Sequence, residues 1–328
     1  MATGKFFQEV NLPEQKSYAD GIVFPTVLSP ASNTCNFTEA IKAQKSWLES
    51  LLETNGVILF RGFHVESPSD FNDVVEAFGF PEAPYVGGRA PRTKVVGRVF
   101  TANESPPDKR VPFHHEMAYG PDFPNKLFFF CEEEPVSGGE TPILLSHIIY
   151  DKMKERHPDF VSRLEEHGVT YVKIMSDEVN SSDIGGSDWR SAYMTDDKIV
   201  AEERAAKLET KLEWLENGVK LITGPLPAIR IFGEKDNQRK TWFNFTSLFY
   251  DGLKNNNIQQ PGSFAMYGNG DPMVEYDAIV DCLRIMDEEC VITPWKKGDV
   301  MLVNNLMALH ARQPLLKPPR RVLASLCK

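Results

Sequence analysis

Apolar positions recur at helical spacing over 38–53, where Ile41, Trp47, Leu48, Leu51 and Leu52 form one stripe behind a Thr38 cap and Asn55-Gly56 supplies the stop. Val57-Ile58-Leu59-Phe60 follows as a short β-branched and aromatic run of the buried-strand type, and a second helix is expected over 69–78. The first quarter of the chain is therefore mixed. Beyond Phe113, apolar runs bounded by turn residues take over, at 127–131, 142–145, 169–174, 228–232, 241–248, 300–304 and 322–326. Short strands in this number predict a sandwich or a barrel, a mainly β fold with flanking helices. One helix is expected among them, over 201–216, with Leu208, Leu212 and Leu215 as its docking stripe. The polar, Gly-rich passage 176–198, which holds Trp189 and Tyr193, exceeds an ordinary connection and reads as a lid over a site.

Composition changes the picture mainly by exclusion. With 41% hydrophobic residues, 21 Phe and 5 Trp, the chain of 328 residues is neither disordered nor fibrous. Its 36 basic and 46 acidic residues leave a net charge of −10, which repels phosphate backbones and anionic lipid, so neither nucleic acid nor a membrane is an expected partner. Five cysteines, odd in number and without a C-x-x-C pair, suggest a reducing compartment, and no signal-peptide pattern opens the chain; a cytoplasmic protein is expected. Pro and Gly are spread evenly and no repeat is visible. A single domain is expected over 1–328, with a mixed flank at 1–110, a β core at 111–328 and an insertion at 176–216.

Chemistry enters at Pro112-Phe113-His114-His115-Glu116. In a strand, residues two apart share a face, so His114 and Glu116 project together and His115 does not. The pair is either a hydrogen-bonded strand pair or two cis ligands for a divalent metal, one neutral nitrogen and one hard oxygen. His310, behind the apolar run 300–304, is either a core histidine or the third ligand. Two histidines and one carboxylate would make the facial arrangement of non-haem Fe(II) oxygenases, which leaves coordination positions open. Downstream, Arg320 and Arg321 begin the last strand. Alternation sends one of them inward, and a buried guanidinium needs an anion such as a carboxylate of a dicarboxylic co-substrate.

These residues together resemble the taurine dioxygenase and clavaminate synthase-like Fe(II)/2-oxoglutarate-dependent oxygenases, from about Asn55 to the end of the chain. Phe113-His114-His115-Glu116 matches the family's H-x-D/E segment, and Ser137-Gly138-Gly139-Glu140-Thr141 its G-G-x-T element. Asn305 and His310 match N-x-x-x-x-H, followed by Arg on the final strand. The resemblance implies a double-stranded β-helix (jelly-roll, cupin-like) core and Fe(II) ligation by His114, Glu116 and His310. It implies a 2-oxoglutarate carboxylate held by Arg321 and the Thr141 hydroxyl, and oxidation of a small molecule by O₂ as 2-oxoglutarate becomes succinate and CO₂. Thr141 is equally placed for a turn hydrogen bond, and Asn305 for a role beside the metal strand; His115 and Arg312 have no assigned part.

Two departures matter. Glu116 stands where Asp is commoner, and its longer arm still reaches a metal. Ser325 stands where taurine-type relatives carry a second Arg, so a sulfonate substrate lacks its clamp. A metal- and 2-oxoglutarate-binding protein without turnover is the alternative, and a zinc hydrolase a third reading that gives Arg321 no purpose. Tyr119, Trp189, Arg190 and Tyr193 are the candidates for the substrate pocket.

Overall fold

The four-residue run after the first helix forms strand Val57–Phe60, buried at every position because both of its faces are covered. In the computed structural model, described at residues 6–87, 92–102, 104–177, 188–233, 238–244, 246 and 264–328, it lies inside an eight-stranded sheet. Its neighbours there are Thr26–Pro30, in parallel, and Val300–Asn304, antiparallel. Lys126–Glu133 and Arg321–Cys327 continue the sheet beyond Val300–Asn304. The mixed flank thus adds its strands directly to the major sheet of the β core.

Alternation along these strands builds two layers. Phe128, Phe130, Leu302 and Leu323 face helices Phe37–Asn55 and Pro68–Phe78. Leu127, Phe129, Met301, Val303 and Ala324 face the other way, onto Ile143, Leu145 and Ala308 of a second, three-stranded sheet. That minor sheet places Ala308–Arg312 between Ile143–Leu145 and Val111–His114. Its outward residues Leu144, Leu309, Ala311 and Phe113 pack under helices Ser146–Arg156, Pro158–His167 and Tyr276–Glu289. Two β sheets enclosing an apolar interior, with helices outside both, give the jelly-roll core that the resemblance implied.

The helix caps follow simple chemistry. The first helix is capped by Asn36, whose Oδ1 accepts from the Glu39 amide at 3.1 Å; Thr38, the expected cap, instead donates its hydroxyl to Asn36 at 2.9 Å. The second starts on a Ser67/Asp70 capping box with Pro68 in its first turn.

The helix expected over 201–216 is half helix and half strand. Lys198–Ala206 is helical, Glu209 takes a positive φ of 52°, and Thr210–Leu215 is a strand pairing antiparallel with Gly218–Leu226. Leu212 is buried opposite Leu221, so its apolar position serves a period of two, not of 3.6. The tight reversal at Glu216-Asn217, with Gly218 opening the return strand opposite Leu215, outweighs the leucine stripe. This hairpin belongs to a four-stranded sheet with Val169–Ser176 and Phe264–Tyr267. The strand expected over 241–248 ends at Trp242, and 245 and 247–248 lie outside the described residues. So do residues 178–187 of the expected lid; Trp189 and Tyr193 belong to a short helix, Trp189–Tyr193, and are buried in a small apolar cluster. No helix among the described residues is long and apolar enough to cross a membrane.

His147, on the first turn of Ser146–Arg156, ties three segments together. Its Nε2 accepts from Arg239 at 2.9 Å, and Arg239 pairs with Asp20 at 2.8 Å. Burial, and next the Arg239 charge, push the imidazole down to about 4. The unfolded chain takes up this proton near pH 6.5 and the folded chain refuses it until far lower, so stability is lost as pH falls through that window. Between pH 6.5 and 5 the wild type should lose about 1.5–2 kcal/mol more than His147→Gln, which keeps an acceptor for Arg239. Urea midpoints of both proteins at the two pH values measure the difference; parallel losses would refute it.

Candidate metal centre and anion pocket

The register of the minor sheet sets His310 directly opposite His114. Alternation along Ala308–Arg312 turns Leu309 and Ala311 to the helices and leaves His310 in the interior, its ring centroid 4.2 Å from that of His114 and 5.2 Å from that of Phe129. Glu116 lies just past the strand, in the turn that begins after His114, and its Oε2 is 3.9 Å from the Nε2 of each histidine. One ligand atom from each of the three residues falls within 4.8 Å of the others, the only such grouping among the described residues. The separation of 310 − 114 = 196 residues in sequence is thus closed by a single cross-strand pair.

The imidazoles are prepared as neutral donors. His114 donates its Nδ1 proton to the Pro112 carbonyl at 2.8 Å, which leaves the Nε2 lone pair toward Glu116. Burial holds the His114 pKa below its ordinary value, against the pull of Glu116, and holds His310 well below. His115, fully buried, has no part in the cluster. Its ring lies between the Asn305 carbonyl at 2.5 Å, the Ser146 hydroxyl at 2.9 Å and the Trp242 carbonyl at 3.2 Å, and burial pushes its pKa down to about 3.

Asn305 holds the Glu116 turn in place. Its Oδ1 accepts from the Glu116 amide at 2.8 Å, and its Nδ2 donates to the carbonyls of Glu116 at 2.9 Å and Pro124 at 2.7 Å. Met117, the next residue, sits at φ 58°, a left-handed conformation that this clamp sustains.

The two arginines of the last strand are sorted by alternation. Val322, Ala324 and Leu326 face the interior, and Arg320, two residues before Val322, shares their side. Arg320 is half-buried, donates its Nε to the Gly139 carbonyl at 2.5 Å, and makes no ion pair among the described residues; burial, and next the charge of Arg312, bring its pKa down to about 10. Arg321, the cation expected inside, is exposed and pairs with Glu132 at 2.5 Å. The irregularity between Arg321 and Val322, where the strand meets Glu133 and Cys131, accompanies this outward turn. Ser325 likewise faces outward with Leu323, and the inward position beside it is Ala324.

Thr141, buried two residues after Gly139, accepts from Trp295 Nε1 at 3.1 Å and keeps its own proton to donate. A Cβ on Gly139, at φ 70°, would come within 2.6 Å of Arg320 Cδ, so the second glycine of the G-G pair makes room for the arginine. Arg312 is buried and donates to the carbonyls of Ser105, Pro106 and Lys109, fastening the loop that leads into Val111–His114.

One residue has no signal in the local sequence. Arg92, 7% exposed at its side chain, donates its Nη2 to Glu116 Oε2 at 2.9 Å and stacks 4.7 Å above the Tyr85 ring. Nothing around it distinguishes it from other surface-type arginines, since it precedes the strand Lys94–Val96 in irregular chain and its contact lies 24 residues away.

The sequence matches the model of the taurine catabolism dioxygenase TauD, TfdA family over residues 26–327. The chain belongs to that family. It is accordingly an oxidoreductase. A clavaminate synthase-like protein of Arabidopsis thaliana is 52% identical over 329 residues, covering 98% of each chain. The dapdiamide synthesis protein DdaC of Enterobacter agglomerans is 26% identical, over 81% of this chain and 80% of its own. Among solved structures, PvcB of Pseudomonas aeruginosa superposes with a TM-score of 0.54 at 12% identity, covering 97% of this chain and 92% of its own. A putative alpha-ketoglutarate-dependent taurine dioxygenase of Burkholderia xenovorans gives 0.54 at 13% identity, over 98% and 89%. At such identities the structures speak for the fold.

Asn305→Ala would leave the Glu116 amide and two buried carbonyls unpaired, and should lower stability by about 2–3 kcal/mol. Denaturant unfolding checks this; a loss under about 0.5 kcal/mol, the usual size for an unconnected surface change, would refute the clamp.

Proposed function

We propose that the protein is a non-haem Fe(II)- and 2-oxoglutarate-dependent dioxygenase that oxidises, by hydroxylation, a C–H bond of a small molecule. The observation that carries this is the enclosed His114, Glu116, His310 cluster: two neutral imidazoles and one carboxylate, the donor set that suits Fe(II) and leaves one face of the ion open. A buried ring nitrogen supports the fit, since His310 Nδ1 is enclosed without a hydrogen-bond partner among the described residues. Family membership and the solved structure titled an Fe, alpha-ketoglutarate dependent oxygenase, which superposes with a TM-score of 0.50, support the same assignment.

The bound metal with 2-oxoglutarate and O₂ would supply the oxidising power, with succinate and CO₂ as the co-products. The chain's own residues do the rest. His114, Glu116 and His310 hold the ion; Asn305 fixes the Glu116 turn. Arg320 receives the distal carboxylate of 2-oxoglutarate, helped by the Thr141 hydroxyl, in place of the Arg321 that alternation left ambiguous. Its guanidinium lacks a carboxylate partner among the described residues and stands near a second cation, Arg312, so a dicarboxylate relieves both charges. The apolar interior, with Phe129 against His310, keeps bulk water from the reacting centre.

Anaerobic addition of Fe(II) and 2-oxoglutarate should give a visible absorption band, lost in His114→Ala and His310→Ala. Arg320→Ala should weaken 2-oxoglutarate binding by about 100-fold or more, the cost of removing one partner from a buried charge pair, whereas Arg321→Ala should leave it within about twofold. The opposite ranking of the two arginine variants would restore Arg321 to the site, and a band that survives His114→Ala would overturn the ligand assignment.

A further inference from the structure

We infer that Trp295 is a positioning residue for the co-substrate: its indole N–H fixes the Thr141 hydroxyl as a donor, so that the group it meets must be an acceptor such as a carboxylate; the inference rests on the dioxygenase reading of the site. An indole nitrogen donates and cannot accept, so its bond to Thr141 Oγ1 at 3.1 Å has one direction. The hydroxyl accepts there and keeps its own proton, which has no acceptor among the described residues. Thr141 is 5% exposed and Trp295 4%. A donor enclosed at that depth without an acceptor is a standing cost, and a bound carboxylate removes it.

The ladder of the minor sheet puts this donor at a defined distance from the metal cluster. Ile143 lies opposite His310, and the pairing continues back along the chain, where Ala311 donates its amide to the Pro142 carbonyl at 2.9 Å and Gln313 to the Glu140 carbonyl at 3.0 Å. Thr141 thus stands on the inward face two residues from Ile143, roughly 7 Å along the strand from the position opposite His310. That step suits a five-carbon chain with one end at the cluster and the other at Thr141. Arg320 reaches the same place from the last strand, since its Nε donates to the carbonyl of Gly139, two residues before Thr141. The guanidinium supplies charge, and the hydroxyl supplies direction.

Trp295 is itself held by a buried ion pair. Arg61, directly after strand Val57–Phe60, donates Nη2 to the Pro294 carbonyl at 2.7 Å and grips Asp299 through Nε at 3.0 Å and Nη2 at 2.6 Å. Asp299, 1% exposed, also accepts from the Lys296 amide at 2.8 Å. Both ends of the 294–299 loop are thereby tied to one side chain. Between them the indole packs in the apolar cluster that holds Ile143 and Val322, with its N–H turned to Thr141.

A double-mutant cycle on 2-oxoglutarate binding, read anaerobically from the Fe(II)–2-oxoglutarate band, tests this. Thr141→Val keeps the shape and removes the hydroxyl; it should raise the Kd of 2-oxoglutarate about tenfold or more, the scale of a hydrogen bond to a charged group. Trp295→Phe should raise it about fivefold, the scale of one ordinary hydrogen bond. In the Thr141→Val background the same Trp295→Phe change should move the Kd by less than about twofold, because no hydroxyl remains to be held. Benzothienylalanine placed at position 295 keeps the ring shape and lacks only the N–H. It should repeat the Trp295→Phe result, and it stands in for Phe where the smaller ring disturbs folding. Binding of Fe(II) without 2-oxoglutarate, read by competition with a chromogenic chelator, should stay within about twofold of wild type in all variants. An equal effect of Trp295→Phe with and without the hydroxyl would make Trp295 a packing residue and overturn the inference, as would an unchanged Kd in the benzothienylalanine protein. Unchanged 2-oxoglutarate binding in Thr141→Val would overturn it together with the place given to Thr141. A wild type that forms no Fe(II)–2-oxoglutarate band would sink the dioxygenase reading itself, and the inference with it.

Discussion

Everything at the site depends on the pairing of His310 with His114 across two antiparallel strands. A strand shows alternate residues to opposite faces, so a slip of one position would carry His310 out among the helices and bring Leu309 or Ala311 into the interior. The slip is prevented from both sides at once. Leu309 and Ala311 fill the apolar layer under the outer helices, Ala308 fills the interior beside Leu145 and Val303, and Ile143 lies opposite His310 on the third strand. The energy that sets the ligand geometry is therefore ordinary apolar burial on either side of it.

The charge arrangement inside the barrel runs against that of the chain as a whole. A protein with a net charge of −10 encloses Arg92 against Glu116 and sets Arg320 near Arg312. Arg312 spends its donors on three loop carbonyls and acts as a fastener. Arg92 pairs with Glu116, whereas Arg320 makes no ion pair among the described residues.

Local signals and tertiary context competed most visibly over 201–216. Leu208, Leu212 and Leu215 satisfy a helical stripe, and Thr210, Leu212 and the turn at Glu216-Asn217 satisfy a strand hairpin. The strand prevails from Thr210 because the neighbouring Gly218–Leu226 offers a complete ladder of partners, and Glu209 takes the left-handed backbone that ends the helical segment. The hairpin so formed supplies Thr210, Leu221 and Thr223 to a cleft that Met117 and Tyr119 also line. The same residues read as one continuous helix would have left it without a wall.

From the sequence alone came the apolar strands at 57–60 and 300–304, the jelly-roll core through the family motifs, and the set His114, Glu116 and His310. These were legible because strand alternation is a local property and because the family motifs mark the residues that the resemblance implies as ligands. The tertiary structure alone decided that Arg320 points inward and Arg321 outward, that Glu116 reaches the cluster from a turn clamped by Asn305, and that Arg92 joins it. Alternation says that two neighbours face opposite ways but not which way; only the partner strand, with its irregular step at Arg321, breaks that symmetry. An arginine brought in from an irregular segment leaves no periodic trace at all, because its place is fixed by the folded surfaces that meet around it.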